Sequence, residues 1–252
     1  MIRRNAYLLA GATATGKSAA AAILAREMGA AILSADSMLV YRGMDIGTAK
    51  PSREEREEFS MGCVDLVTPA EEFSAGEWLR QAGRWASKLP SGTPIVVVGG
   101  TGLYFTALLR GLDVPWRNPP PAYPVLQMDR DIRRRRIGER VDAMLAEGLA
   151  EEVARLRAEY PEWSRTAAAA IGYKEFGAPL TVAGAKFVAV EGRSVRDEIH
   201  YRTCQFAKRQ DTWFRHQSSP IYVQCGETAS DTAAAVRDAW RKHGPWHIAL
   251  PC

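Results

Sequence analysis

Eight residues near the amino end, Gly11-Ala12-Thr13-Ala14-Thr15-Gly16-Lys17-Ser18, satisfy the pattern G-x-x-x-x-G-K-[ST]. Each residue type has a physical role in holding a polyphosphate or pyrophosphate. The glycines let backbone N–H groups turn toward phosphate oxygens, and a helix starting here adds its positive dipole end. Lys17 supplies a point charge, and the Ser18 hydroxyl can ligate a magnesium ion. A P-loop that splits nucleoside triphosphates also has an acid at the end of an apolar strand. The obvious strand, Ile95 to Val98, runs into Gly99-Gly100-Thr101-Gly102 with no acid. That argues against ATP or GTP hydrolysis and leaves room for a different diphosphate.

Two further positions fall where such a ligand would lie. Asp36 follows the apolar run Ala31-Ile32-Leu33-Ser34-Ala35. A carboxylate there can bind magnesium through water or act as a general base; a turn or helix-cap aspartate is the alternative. Thr101 offers a hydroxyl that can bind phosphate or orient Asp36, or it is a plain turn residue. Cations mix with aromatics from Tyr201 to Arg215. Arg202, Lys208, Arg209 and Arg215 are the expected ligand contacts there, whereas helical spacing puts Phe206, Gln210 and Trp213 on one face that reads as core. The run Arg133-Arg134-Arg135-Arg136 reads as a solvated helix face.

The elements that position these residues alternate. A short strand over 6–10 leads into the P-loop, a helix runs from Lys17 to Gly29, and a strand covers 31–35. A charged helical turn is expected at 53–58 and an amphipathic helix over 74–89 with Ser74 as its cap. The run 94–98 is apolar throughout, as in a parallel strand buried on both faces. A helix over 103–110 follows. This predicts an α/β fold, a P-loop-type doubly wound parallel sheet with flanking helices and a helical C-terminal part. Ligands sit at the carboxyl ends of strands in such sheets, so the P-loop, Asp36 and Thr101 share one crevice. Residues 113–124 read as a Pro-rich linker, 125–128 as a strand, 131–160 as one long helix or two, and 196–215 as the final long helix.

At 252 residues with net charge +4, the chain suits a single α/β domain that tolerates, without requiring, a nucleic-acid partner. No apolar run is long enough to span a bilayer, so no membrane role is expected. Four scattered cysteines lack metal or redox spacing. A cytoplasmic protein with free thiols, working as a monomer, is expected.

Five segments together resemble the tRNA dimethylallyltransferases: Gly11 to Ser18, the long stretch Ser34 to Pro51, Gly99 to Tyr104, Ile171-Gly172-Tyr173-Lys174-Glu175, and Ala207-Lys208-Arg209-Gln210 with Thr212-Trp213-Phe214. The resemblance implies transfer of a dimethylallyl group from dimethylallyl diphosphate to N6 of the adenine beside the anticodon of tRNA. It makes Asp36 the general base, with Thr101 and Lys17 completing the catalytic set at the diphosphate. Gly11, Thr13, Ala14, Thr15, Gly16, Lys17 and Ser18, together with Arg202, Lys208 and Arg209, would hold the diphosphate, and Ser18 a Mg2+ cofactor. Asp36, Ser37, Met38, Leu39, Tyr41, Gly43, Lys50 and Gln205 would contact the tRNA and its flipped-out adenine.

The chain departs from the family in two places. The family has a helical insertion after the segment matching Leu108 to Leu112, where this chain has only residues 113–124. The family also carries an arginine directly after the threonine matching Thr203, where this chain has Cys204. A thiol cannot supply a bidentate cation, and Arg202 lies ~100° away around a helix. Three other readings stay open on the sequence. They are a binding homologue without catalysis, a small P-loop kinase, and a prenyltransferase acting on free adenine nucleotides.

Overall fold

The computed structural model describes residues 1–112, 122–177 and 194–251. The chain runs β1 (Ile2–Gly11), α1 (Lys17–Met28), β2 (Ala31–Ser34), α2 (Arg53–Glu58), α3 (Ala75–Ala86), β3 (Ile95–Gly99), α4 (Gly102–Arg110) and β4 (Ala122–Gln127). It continues as α5 (Arg130–Ala146), α6 (Leu149–Glu159), α7 (Arg165–Ala168), α8 (Val195–Gln217), β5 (Ser219–Gln224), α9 (Ala229–His243) and β6 (Trp246–Leu250).

Five strands form a parallel sheet in the order β2-β3-β1-β4-β5, and β6 lies antiparallel against the first half of β1. The strand β3 is buried along its whole length, which is why it reads as an unbroken apolar run. Alternate residues serve opposite faces. Leu8 and Val97 pack with Trp78 of α3 and Phe105 of α4. Leu9, Val96 and Val98 pack with Leu24 of α1 and Trp240 of α9. A third core sits over the carboxyl ends of the strands and joins α5 (Ile137, Val141), α6 (Val153, Leu156) and α8 (Ile199, Ala207) to the loop carrying Val40, Tyr41 and Met44. This layer closes the site from above.

Several expectations need correction. The helix expected last, α8, is followed by β5, α9 and β6. The edge strand β5 contains Pro220 and only a three-residue apolar run, Ile221-Tyr222-Val223, of which only Val223 is buried; β6 buries only Ile248 and Leu250. Ala122, Tyr123 and Pro124 belong to β4 rather than to a linker; the remainder of that stretch, 113–121, lies outside the described residues. Pro124 is tolerated because β4 begins to pair with β1 only at Val125, leaving no ladder bond for the missing N–H on that side. The 131–160 stretch is two helices parted at Gly148, whose φ of 98° ends the first path. Among the described residues no helix is long and apolar enough to cross a membrane.

At the end of β3 there is no room for any side chain. A Cβ on Gly99 would collide with the Ala35 carbonyl, so the missing acid is a packing requirement as well as a chemical one. Gly99→Ala is expected to lower unfolding stability by ~1–3 kcal/mol, read from the urea midpoint at unchanged slope.

Candidate active site

The order β2-β3-β1 places three strand ends side by side, so Asp36, Thr101 and the P-loop converge although far apart in sequence. Positive φ at Ala14 (64°) and Gly16 (83°) wraps the P-loop around an open centre. Within it the Thr15 hydroxyl donates to Ala12 O at 2.8 Å, and the Lys17 ammonium points back to the same carbonyl at 3.4 Å. Ser18 is exposed at the start of α1. Beneath the loop, the Cys225 thiol donates to Thr15 O at 3.3 Å.

Gln210 of α8 ties the loops together. Its side-chain oxygen accepts from the Thr13 N–H at 2.9 Å, and its amide nitrogen donates to Gly100 O at 3.0 Å. Side chains on Gly100 and Gly102 would collide with Gln210 and Trp213, so the glycines after β3 let α8 dock. Asp36 makes an Asx turn, its Oδ1 accepting from the Met38 N–H at 2.9 Å. Thr101 Oγ1 accepts from the Ser37 N–H at 3.0 Å and donates to Ser37 Oγ at 3.3 Å, so it orients Ser37 rather than Asp36.

Two chambers meet here. One of about 440 Å³ is walled by Ile137, Val141, Met144, Ile199 and Phe206, with Thr101, Arg209 and Gln210 on its rim. The other, about 580 Å³, runs over Gly16, Ser18, Leu39, Lys50 and Arg136. Thr13, Lys17, Asp36, Thr48 and Arg140 line both and form the wall between them. A more open cleft of about 660 Å³ lies by Arg3, Ser91 and His247 and holds none of the motif residues.

Several expected contacts lie elsewhere. Tyr41 is fully buried in the third core against Ser164 and cannot reach RNA. Gly43 faces Arg155 and Leu156, away from both chambers. The Lys50 ammonium is buried between Asp45 and Asp65, at 2.7 and 2.6 Å, so its charge is spent on the fold. Gln205 and Lys208 are exposed outside the chamber; the chamber face of α8 is Ile199, Thr203, Phe206 and Gln210. Arg202 is held by Glu198 at 2.5 Å and Glu175 at 3.5 Å. Ser37 and Met38 line the apolar chamber beside Asp36. Cys204 is half-buried toward α5, its Sγ 3.7 Å from His200 Nε2, and burial pushes the thiol pKa up.

Other residues of the site were not singled out from the sequence. Arg140 of α5 reaches Thr13 Oγ1 at 3.4 Å and Thr48 O at 3.3 Å. The run read as a solvated face is divided: Arg134 and Arg135 are exposed, Arg133 pairs with Asp211 at 2.7 Å, and Arg136 turns to the P-loop groove. Glu152 of α6 accepts from the backbone N–H groups of Asp45, Ile46 and Gly47 at 3.0, 2.9 and 3.2 Å, and from the Tyr173 hydroxyl at 2.6 Å. Burial and the Glu152 carboxylate hold the Tyr173 phenol well above its ordinary pKa, so it stays a donor. This clamp fixes the loop that presents Thr48. Helical spacing from Arg136 was the one signal for Arg140; none marked Glu152.

Two outcomes follow from this geometry. Glu152→Gln keeps one acceptor oxygen and turns an amide toward N–H donors; it is expected to lower stability by ~2–3 kcal/mol, read by denaturant unfolding. Burial pulls the Lys17 pKa down to about 8, with Asp36 opposing the shift and Arg140 adding to it. Below that value the ammonium is charged and ready; above it, binding an anion requires Lys17 to regain a proton. Titration with inorganic pyrophosphate near pH 8 should therefore show proton uptake, as buffer-dependent heat, that is absent in Lys17→Arg.

The sequence model described as IPP transferase matches residues 39–124 and 117–217, and that described as isopentenyl transferase matches 4–61. The chain is 33% identical to the tRNA dimethylallyltransferase of Geobacter metallireducens over 289 aligned positions, covering 86% of this chain and 91% of that one. It is 31% identical to the tRNA dimethylallyltransferase of Trichormus variabilis, with 93% and 97% covered. The fold superposes on the crystal structure of tRNA delta(2)-isopentenylpyrophosphate transferase from Staphylococcus epidermidis with a TM-score of 0.77 at 23% identity, covering 94% and 99%. The chain belongs to the tRNA dimethylallyltransferase family.

Proposed function

We propose that this chain transfers the dimethylallyl group of dimethylallyl diphosphate to N6 of the adenine beside the anticodon of tRNA. The observation that carries the reading is the shared wall: the P-loop lysine and Asp36 stand where two chambers meet, one rich in anion-binding groups and one largely apolar. A group transfer needs that arrangement, because donor and acceptor must enter separately and touch at one point. The adenine N6 lone pair attacks C1 of the dimethylallyl group. The C1–O bond breaks and its electron pair leaves with the diphosphate, held by the P-loop backbone, the α1 dipole and Lys17. The N6 proton passes to the Asp36 carboxylate. The adenine is drawn out of its stack to reach this point.

Magnesium fits this site as a partner of the diphosphate. Among the described residues no cluster of three or more His, Cys, Asp or Glu could hold a metal ion. The Ser18 hydroxyl and Asp36 both border the P-loop groove, and magnesium commonly takes one or two protein groups with phosphate and water oxygens. When bound it neutralises charge on the leaving diphosphate.

The alignment with the Geobacter protein runs over 289 positions, more than the 252 residues of the chain, and the IPP transferase match comes in two pieces meeting at 117–124. Both features support a single domain lacking the helical insertion. The tRNA is then gripped by the remaining domain, with Ser37, Met38 and Arg209 nearest the base.

The purified chain with labelled dimethylallyl diphosphate is expected to prenylate tRNA in preference to AMP, and Asp36→Asn to lower kcat ~10²–10⁴-fold. No transfer to tRNA under excess enzyme sinks the proposal. Transfer to AMP alone would move the acceptor to a free nucleotide.

A further inference from the structure

We propose that the cleft at the carboxyl ends of β4 and β5 is a second nucleotide subsite, where an unpaired nucleotide of the RNA, other than the one modified, stacks its base on Tyr222 and sets its pairing edge against Gln127 and Gln224. This rests on the function proposed above and adds a contact with the RNA outside the two chambers. The cleft has a volume of about 410 Å³ and shares no lining residue with either chamber.

The first observation is the pairing of β4 with β5. Val125 lies beside Tyr222 and Gln127 beside Gln224, and alternate residues of a strand share a face, so both glutamines and the tyrosine stand on the sheet face toward α8. The strand β5 is at the sheet edge, and Tyr222 is 45% exposed there. The Gln224 amide nitrogen donates to Gln127 Oε1 at 2.9 Å. That single bond leaves Gln224 Oε1 and the Gln127 amide N–H groups without a partner among the described residues. Every nucleobase carries a donor beside an acceptor on its pairing edge, so a free acceptor next to a free donor matches it. The Tyr222 ring, about 7 Å back along the strand, supplies the stacking surface.

The second observation is charge and place. Both carboxylates of the cleft are engaged. Asp211 takes the Arg133 fork at 3.1 and 2.7 Å, and Asp129 Oδ1 accepts from the N–H groups of Asp131 and Ile132 at the start of α5. Arg215 is exposed on the rim, has no carboxylate partner among the described residues, and is left for a phosphate oxygen. The cleft adjoins the apolar chamber through neighbouring residues of α8: Gln210 lines the chamber and Asp211 the cleft. It is also joined to the P-loop. Cys225, directly after Gln224, donates its backbone N–H to Gln127 O at 2.8 Å and its thiol to Thr15 O. An RNA loop that gives up one base to the chamber loses stacking at the neighbouring bases, and an aromatic ring held in the same frame restores it for one of them.

The test is binding of a hairpin RNA carrying the anticodon arm, measured with inorganic pyrophosphate in the P-loop so that no transfer occurs. Tyr222→Ala should weaken binding ~10-fold, and Tyr222→Phe, which keeps the ring, should stay close to native. Stacking releases no counterions, so Tyr222→Ala should keep the native salt dependence, whereas Arg215→Gln should flatten it. Gln224→Ala should weaken binding ~3-fold or more. In turnover, Tyr222→Ala should raise KM for tRNA more than it lowers kcat. A Tyr222→Ala chain that binds the hairpin as tightly as native overturns the subsite; if that variant does not fold, the same measurement on Gln224→Ala decides. AMP in place of the hairpin tests the other source of a nucleotide. AMP binding that disappears in Tyr222→Ala while hairpin binding is unchanged would give the cleft to a free nucleotide and overturn the RNA assignment. A native chain that binds the hairpin but transfers nothing overturns the proposed function alone, and the Tyr222 comparison still decides the subsite. A native chain that does not bind the hairpin overturns both.

Discussion

The side-chain amide of Gln210 takes the N–H of Thr13 on one side and gives its own N–H to Gly100 on the other. It thereby fixes the distance between the P-loop and the turn after β3, two glycine-containing segments with little of their own to hold them. The amide is buried, and a buried polar group is stable only when paired, so the bond pattern specifies one docking pose for α8. That pose decides much else. It puts Phe206 and Arg209 on the apolar chamber and brings Ile199 and Ala207 into the core shared with α5. It also carries α5 across the P-loop with Arg136 and Arg140 facing it.

A second polar anchor works on the opposite wall. Glu152 draws three consecutive backbone N–H groups to one carboxylate, and the Tyr173 ring fills the space that Gly47 leaves empty. The loop from Asp45 to Thr48 has no regular structure to satisfy those donors. Holding it from α6 allows an irregular segment to line a site with the rigidity of a helix. Lys50 does the same from within the loop, tied to Asp45, Asp65 and the Tyr41 carbonyl. The long motif after Asp36 is therefore of two kinds. Ser37, Met38 and Thr48 line the apolar chamber, and Tyr41, Gly43 and Lys50 pack into the protein and hold the loop in place.

This division explains what could be read in the sequence. The strands β1 to β3 and their helices were legible because burial on both faces leaves continuous apolar runs and because glycines and caps punctuate them; Ser74 does cap α3, accepting from Glu77. The P-loop, Asp36 and Thr101 were legible as one crevice because strand ends in a parallel sheet point the same way. The wall residues were not separable from ligand residues, since both are polar and adjacent in the chain. The residues at 205 and 210 are both glutamine on one helix, and only the docking angle of α8 shows that the second is buried and the first in water. The strands β5 and β6 were missed because their apolar runs, Ile221 to Val223 and Ile248 to Leu250, are only three residues long, too short to mark a strand by pattern alone.

The charge layout favours group transfer over hydrolysis. A P-loop enzyme that splits nucleoside triphosphates needs an acid beside the loop to hold a metal and place water. Here the end of β3 has no space for a side chain, and its turn instead receives the Gln210 amide. The carboxylate that lines both chambers is Asp36, just past the end of β2 and on the wall between them. From there it borders the apolar chamber as well as the P-loop groove. The cations Lys17 and Arg140 lie across from it, depressed in pKa chiefly by burial and, for Lys17, further by Arg140. A carboxylate and two cations around one gap suit the proposed transfer, in which a proton leaves one partner while a polyanion departs from the other. The two halves of a prenyl transfer need that arrangement in the same instant.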